Sequence, residues 1–411
     1  MRFKKNLTPR PFFQAMLFLV LSSFCLMSRA HAVPILIDGP DKKSAAPTGP
    51  PPDVIIFTNG DQLSGTFVDE VAGKVTFHSD VLGDVTVPWE KIKELHTKTK
   101  LAILSKSTLP KHRTIPPNLP QGTVAVENSL ITVHPDNNAT IQPIPIANAP
   151  YIVDQATLHK EVYGHPGFLQ AWNGSATAGA TIVQATQKSY DFSGAVALVR
   201  VVPTLTFLDP RNRTSLNFLG SYGKITQPAF ISGGVLYPST NTKTSIYHAD
   251  IERDEYFTPR MYALGLGAWD HNYGQLLDLQ QIYGGGIGYT LIKDSKQELD
   301  VKGTIQYEHQ AFLDGSTKNL IGSTFAGIYN LLLSHDMAFN QQVAYIPAYN
   351  DAAAYSVTES NTFAIPAYKN LGFSIGTLDS YLNDPPAATP PTKRNSFQFT
   401  LGVTYALKSK Y

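Results

Sequence analysis

The sequence is poor in the groups that announce chemistry. Its 411 residues include one cysteine, Cys25. The chain beyond that position therefore has no disulfide framework, no thiolate metal centre and no cysteine nucleophile. Charged residues make up only 16%. After the first 32 residues no apolar run approaches the ~20 residues of a membrane-spanning helix. Any insertion into lipid would have to use strands, because only helices and closed barrels satisfy every backbone group there. The sequence contains no HExxH and no GK[ST] phosphate loop. No cofactor and no metal are expected.

The formal charge of +1 conceals an asymmetry. The first 32 residues hold five of the 33 basic residues and no acid, which leaves 28 basic against 32 acidic ones, a net of −4. A weakly acidic chain is a poor ligand for nucleic acid. Residues 1–32 read as a secretory signal, with a basic start (Arg2, Lys4, Lys5, Arg10), an apolar centre from Ala15 to Met27, and Ala30-His31-Ala32 as a small-x-small cleavage site. Residues 33–52 carry six prolines and have linker composition.

What is abundant is aromatic residues and glycine: 20 Tyr, 21 Phe and 30 Gly, a mixture that favours strands. Residues 53–150 read as a small β domain. Asp53 to Phe57, Leu63 to Val68, Lys74 to His78 and Val85 to Trp89 are short strands separated by turns at Asn59-Gly60, Ala72-Gly73 and Gly83-Asp84. Its NGDxLxG segment, Asn59 to Gly65, resembles SH3-like or Sm-like modules. Lys98 to Gln121 is expected to be irregular. Thr123 to Val133 would complete this domain or begin a second copy. The domain reads as a spacer, with a grip on a periplasmic partner as the alternative.

Residues 151–411 read as a transmembrane antiparallel β-barrel of about twelve strands. The expected strands centre on Trp172–Val183, Phe192–Val202, Thr214–Gly223, Thr244–Phe257, Arg260–Asp270, Leu277–Ile292, Gln297–His309, Leu320–Leu333, Met337–Tyr345, Tyr355–Ile365, Leu371–Tyr381 and Ser396–Tyr411. In Gln297 to His309, Leu299, Val301, Ile305 and Tyr307 alternate with Asp300, Lys302, Thr304, Gln306 and Glu308. The apolar set recurs in strand after strand, rich in Tyr and Phe, as a lipid-facing wall with aromatic ends requires. Short turns alternate with longer loops, except near Gln187. Gly284, Gly286 and Gly288 share one face. The closing strand alternates Phe397, Phe399, Leu401, Val403, Tyr405 and Leu407. The expected partners are outer-membrane lipid, barrel-assembly machinery through this last strand, and the periplasmic partner of the small domain.

The candidate site is the polar face of these strands. His248, Asp250, Glu252 and Asp254 share one face of the fourth strand, and Asp300, Lys302 and Glu308 share one face of the seventh. They form either a cation-binding ladder or an ordinary polar lumen paired with Lys302, Arg253 or Arg260. Glu308-His309 could pair catalytically, but nothing in the spacing links a serine such as Ser323 or Ser334 to it.

Trp172-Asn173-Gly174-Ser175, Glu252-Arg253-Asp254-Glu255-Tyr256-Phe257 and Gly284-Gly285-Gly286-Ile287-Gly288-Tyr289 together resemble the salt-induced outer-membrane protein family (YdiY-like), domain-of-unknown-function family 481. The resemblance covers about Phe168 to Tyr411. It implies a Gram-negative outer-membrane barrel of undefined biochemical role and supplies no catalytic residues. The expected function is a structural or permeability role, in envelope or osmotic stress by that resemblance. The alternatives are an outer-membrane hydrolase and a barrel-anchored binding platform.

Overall fold

The computed structural model describes residues 52–111, 113–136, 140–184, 188–232, 235–387, 392 and 394–409. The expected signal, nearly all of the proline-rich linker, Gln187 and Tyr411 lie outside them.

The small domain contains ten strands: β1 (Asp53–Phe57), β2 (Gln62–Val71), β3 (Lys74–Ser79), β4 (Gly83–Pro88), β5 (Ile92–His96), β6 (Leu101–Leu104), β7 (Gln121–Glu127), β8 (Leu130–His134), β9 (Ile144–Pro145) and β10 (Tyr151–Asp154). The order β1-β5-β7-β6-β10-β2 closes on itself because β1 also pairs with β2, and β3 and β4 extend from β2. One core fills the ring, with Ile55, Phe67, Val75, Phe77, Leu95, Leu101, Ile131 and Ile152 all buried.

The Asn59–Gly65 segment makes the first turn. Gly60 holds φ +91°, and Asn59 Oδ1 accepts the Asp61 N–H at 3.1 Å. A Cβ on Gly65 would sit 2.0 Å from the His78 carbonyl oxygen. The two glycines therefore serve different needs, a positive φ and a close approach of β3.

One open reading is decided here and two details of the sequence reading change. Lys98 to Gln121 is not wholly irregular, because it contains β6, whose four residues are all buried. A four-residue strand with no alternation gives no periodic signal. Thr123 to Val133 completes the ring by pairing with β5 and β6 rather than starting a second copy. The domain boundary also lies later than residue 150. Tyr151–Asp154 is β10, bonded to β2 and β6 of the small domain.

Helix α1 (Gln155–Tyr163) follows, capped by Asp154 accepting the Thr157 N–H at 2.7 Å. It seats the small domain on the first barrel turn. Glu161 accepts from the Thr204 N–H at 2.7 Å and the Thr204 hydroxyl at 2.6 Å. Arg211 donates back to the Val162 and Gly164 carbonyls at 3.0 and 2.9 Å. Leu158, Val162, Leu104 and Leu208 are buried together there.

Glu70 in β2 is buried. Its Oε1 accepts the Gly73 N–H at 2.7 Å, but burial dominates and pushes its carboxyl up to about 7. A carboxyl raised in the folded state holds its proton longer than in the unfolded chain. It contributes stability fully present below about pH 4.5 and lost as pH rises through about 7. The small domain is therefore expected to lose stability on the order of 3 kcal/mol from this group between those limits. Thermal unfolding of the wild type and Glu70→Gln at pH 5 and pH 8 checks this. Equal pH dependence in both proteins would show that Glu70 is not the cause.

The second part consists of β11 (Trp172–Gln184), β12 (Lys188–Val202), β13 (Asn212–Gln227), β14 (Phe230–Ser232), β15 (Val235–Tyr237), β16 (Thr240–Tyr256), β17 (Met261–Asn272), β18 (Leu277–Lys293), β19 (Gln297–Phe312), β20 (Thr317–Leu332), β21 (Ala338–Pro347), β22 (Tyr355–Tyr368), β23 (Leu371–Leu382) and β24 (Asn395–Leu407). Apart from the small β14–β15 hairpin, these form one closed antiparallel barrel of twelve strands. Closure runs from Gly174 opposite Leu407 to Ala178 opposite Val403. The last strand thus plays the part its alternation predicts.

The barrel strands are 10 to 17 residues long, longer than expected where β13 and β16 continue pairing to Gln227 and Thr240. The turns at 203–211, 257–260, 294–296, 333–337 and 369–370 all lie at the end where the chain enters from the small domain. The connections at the other end are mostly longer. Outward positions are apolar and exposed: Tyr283, Ile287, Tyr289, Ile305, Phe325, Val343, Phe399, Leu401 and Val403 among them. Inward positions of the same strands are polar. This inside-out arrangement is that of a barrel solvated by lipid.

Candidate functional site

Strand alternation places His248, Asp250, Glu252, Asp254, Asp300, Lys302 and Glu308 on the inner wall. Residues at even numbers along β16, β17, β18 and β19 face inward, as their low exposure and the exposed odd-numbered neighbours show. The structure then joins these residues to partners on other strands.

The densest group lies near the small-domain end. Arg213 on β13 is its centre. Its Nε donates to Asp254 Oδ2 at 2.7 Å, its Nη1 to Glu298 Oε1 at 3.1 Å, and its Nη2 lies 2.7 Å from Asp300 Oδ2. Asp254 and Asp300 are each 1% exposed. Tyr262, fully buried, places its ring 5.2 Å from the guanidinium. Three carboxylates around one guanidinium bring charges out of water that only this geometry offsets.

One layer further in, Lys302 donates to Glu252 at 2.5 Å. Beyond it, Asp250 accepts from Asn217 at 3.0 Å, and His248 bridges Asp250 at 3.0 Å and Asp270 at 2.6 Å. Toward the far end, Gln310 donates to Glu308 at 2.6 Å and to Gln280 at 3.4 Å. Thr304 and Thr324 both donate to Gln306. A continuous polar strip thus runs along β13, β16, β17, β18, β19 and β20.

The glycine column explains how this wall is built. A Cβ on Gly288 would sit 2.2 Å from the Tyr262 ring, and one on Gly286 would sit 2.0 Å from the Gly303 carbonyl oxygen. Their bareness lets Tyr262 lie flat across β18 beside Arg213 and lets β19 approach. Contacts across the interior fill it further. Ile346 on β21 packs against Ile282 and Ala268. Leu382 on β23 packs against Leu277 and Phe312. Gln275 donates to the Ser380 and Arg394 carbonyls at 3.0 and 2.8 Å.

The opposite inner wall is neutral. By the register of β21, β22 and β23, Ser356, Thr358, Ser360, Thr362, Ser374 and Ser380 face inward. The interior therefore sets a carboxylate-rich wall against one of hydroxyls.

Of the expected basic partners, only Lys302 takes that role. Arg253 faces outward and pairs with Glu255 at 2.7 Å beside the 257–260 turn. Arg260 lies in that turn and donates to the Leu291 carbonyl. Arg253 misses the interior because one residue along a strand reverses the face, and Arg260 because it lies in the turn between β16 and β17. Glu308 and His309 separate for the same reason: Glu308 is buried inside, whereas His309 bonds Asn319 Oδ1 at 2.8 Å alongside the outward Tyr307. Ser323 bonds the Tyr349 hydroxyl, and Ser334 lies in a turn at the small-domain end. Arg213, Asp270 and Glu298 were missed. Their alternation with polar neighbours was visible, but nothing in the sequence showed which strands face each other across the interior.

Among the described residues, Glu94, His96 and Glu127 of the small domain place possible ligand atoms within 4.8 Å of one another. They lie at the surface of the β5–β7 pair and stand apart from the interior strip.

A closed twelve-strand barrel with an apolar exterior and a polar interior defines a transmembrane β-barrel. The chain belongs to the family of proteins of unknown function DUF481, which matches residues 176–406. No curated protein matches it. Among solved structures it is similar to the NanC porin, at 8% identity over 57% of this chain and 100% of that one, with a TM-score of 0.32. An outer membrane channel from Pseudomonas putida F1 is similar at 11% identity over 59% of this chain and 99% of that one, with a TM-score of 0.31. The transport unit of the autotransporter AIDA-I from Escherichia coli is similar at 10% identity over 61% and 96%, with a TM-score of 0.26.

Proposed function

We propose that the chain is a non-enzymatic outer-membrane barrel with a permeability role, passing small polar solutes with a preference for cations. One observation carries this reading. Along β13, β16, β17 and β19 the inner wall holds Asp250, Glu252, Asp254, Asp270, Glu298, Asp300 and Glu308 beside Arg213, Lys302 and His248. Of these acids, Asp250, Asp270 and Glu298 keep about a quarter to a third of their side chains accessible. They are the ones a passing ion would meet. The deeply buried Asp254 and Asp300 serve the wall itself.

In this reading the small domain lies in the periplasm, seated by α1 on the periplasmic turns. Its exposed Val81 and Leu82, at the β3–β4 tip, support a contact there with a periplasmic protein. The family resemblance adds envelope or osmotic stress as the setting. Reversal potentials in planar bilayers under a salt gradient test the permeability role. The wild type is expected to favour cations, and Asp250→Asn with Asp270→Asn is expected to bring the cation-to-anion ratio close to one. A non-conducting barrel, or a ratio unmoved by both changes, would overturn the reading.

A further inference from the structure

One stretch of the outer wall departs from the apolar pattern of β19 and β24. On β24 the outward run is Phe397, Phe399, Leu401, Val403, Tyr405 and Leu407, all apolar and exposed. On β19 it is Leu299, Val301, Gly303, Ile305 and Tyr307. On three neighbouring strands the same outward parity gives something else. β21 runs Phe339, Gln341, Val343, Tyr345. β22 runs Tyr355, Val357, Glu359, Asn361, Phe363, Ile365. β23 runs Leu371, Phe373, Ile375, Thr377, Asp379, Tyr381. In each case apolar residues lie both above and below the polar ones. The polar group is therefore embedded in the lipid-facing band, not at its rim.

The register assembles these residues into two adjoining rows. Gln341 stands opposite Asn361, and Asn361 opposite Thr377. In the next row Glu359 stands directly opposite Asp379. Gln341 Nε2 and Asn361 Nδ2 both donate to Glu359 Oε1 at 3.1 Å, and Asn361 also donates to Thr377 at 3.2 Å. Asp379 Oδ1 is shielded and accepts no hydrogen bond among the described residues. Two cross-strand carboxylates repel each other, and a charged side chain toward lipid costs ~2–4 kcal/mol near the bilayer midplane. The fold gives no reason to carry them there, since the neighbouring outward positions are filled by Val, Phe and Ile.

We propose that this face of β21, β22 and β23 is the contact surface for a second copy of the chain within the membrane. The proposal rests on the membrane-spanning reading of the barrel. A row of amide and hydroxyl donors beside a row of carboxylate acceptors is self-complementary. Self-complementarity is what an isologous contact between identical subunits requires, since the same patch must supply both sides. Polar side chains between membrane segments hold them together because lipid offers no alternative partner.

The near absence of cysteine makes the test direct. In a Cys25→Ser background, Val343→Cys on the patch and Ile251→Cys on the outward face of β16 are treated in native membranes with a short bismaleimide. Val343→Cys is expected to give cross-linked dimers and Ile251→Cys none. Native mass of the wild type in mild detergent is expected to be that of a dimer, falling to a monomer in Glu359→Leu with Asp379→Leu. If both cysteine variants stay monomeric, if both cross-link alike, or if Val343→Cys joins only some other protein, the second-copy contact is wrong. Heat-modifiable gel mobility of the same samples reports the barrel independently. Its loss would indict the membrane reading, whereas its persistence with a monomeric mass would indict the dimer alone.

Discussion

Replacing Arg213 with alanine is expected to destabilise the barrel by about 3–5 kcal/mol, the cost of leaving buried charge without its partner. Arg213 pairs with Asp254, Asp300 and Glu298 at distances of 2.7 to 3.1 Å. Asp254 and Asp300 have almost no access to water, so neither regains hydration when the guanidinium is removed. The readout is the folded fraction by heat-modifiable gel mobility across a urea series in detergent micelles. The triple variant Arg213→Met, Asp254→Asn, Asp300→Asn is expected to recover most of the loss, because an apolar or neutral replacement of a whole buried ionic group is often neutral. An Arg213→Ala barrel with wild-type stability would mean that these carboxylates find water or other cations. The triple variant failing as badly as the single one would assign the effect to packing.

The second large effect is expected at Gly286. Its Cβ would lie 2.0 Å from the Gly303 carbonyl oxygen, and a backbone oxygen in a ladder cannot move without breaking β18 from β19. Gly286→Ala should cost at the upper end of the ~1–3 kcal/mol typical of overpacking, or about a tenfold loss in the folded-to-unfolded ratio for each 1.4 kcal/mol. Gly327, also in the barrel wall, has nothing within 4 Å of its would-be Cβ. Gly327→Ala should therefore fold like the wild type, measured by the same gel assay. Equal behaviour of the two variants would dismiss the close-approach account of the glycine column.

Much of the architecture could be read from alternation. Phe397 to Leu407 announces a strand with one apolar face, and the pairing with β11 confirms its closing position. Alternation alone puts His248, Asp250, Glu252 and Asp254 on one face, and Asp300, Lys302 and Glu308 likewise. The glycine column was legible as a column, but not as a seat for Tyr262. β6 was not legible, because a buried strand of four residues has no period to detect. The polar break on the outer wall was also missed. Glu359 and Asp379 look unremarkable singly and become an anomaly only when register sets them side by side on a lipid-facing surface.

What the sequence determined by itself is which residues share a face, because a strand's period of two is a local property of the backbone. Among the described residues no helix is long and apolar enough to cross a membrane. The tertiary structure alone decided which faces meet. Arg213 and Asp300 are 87 positions apart, since 300 less 213 is 87, and they touch because closure curves β13 toward β19. The seat of the small domain on the barrel was decided in the same way, through Glu161, Thr204 and Arg211. Contacts of this kind depend on barrel curvature and register summed over many strands, and no local pattern in the chain encodes that sum.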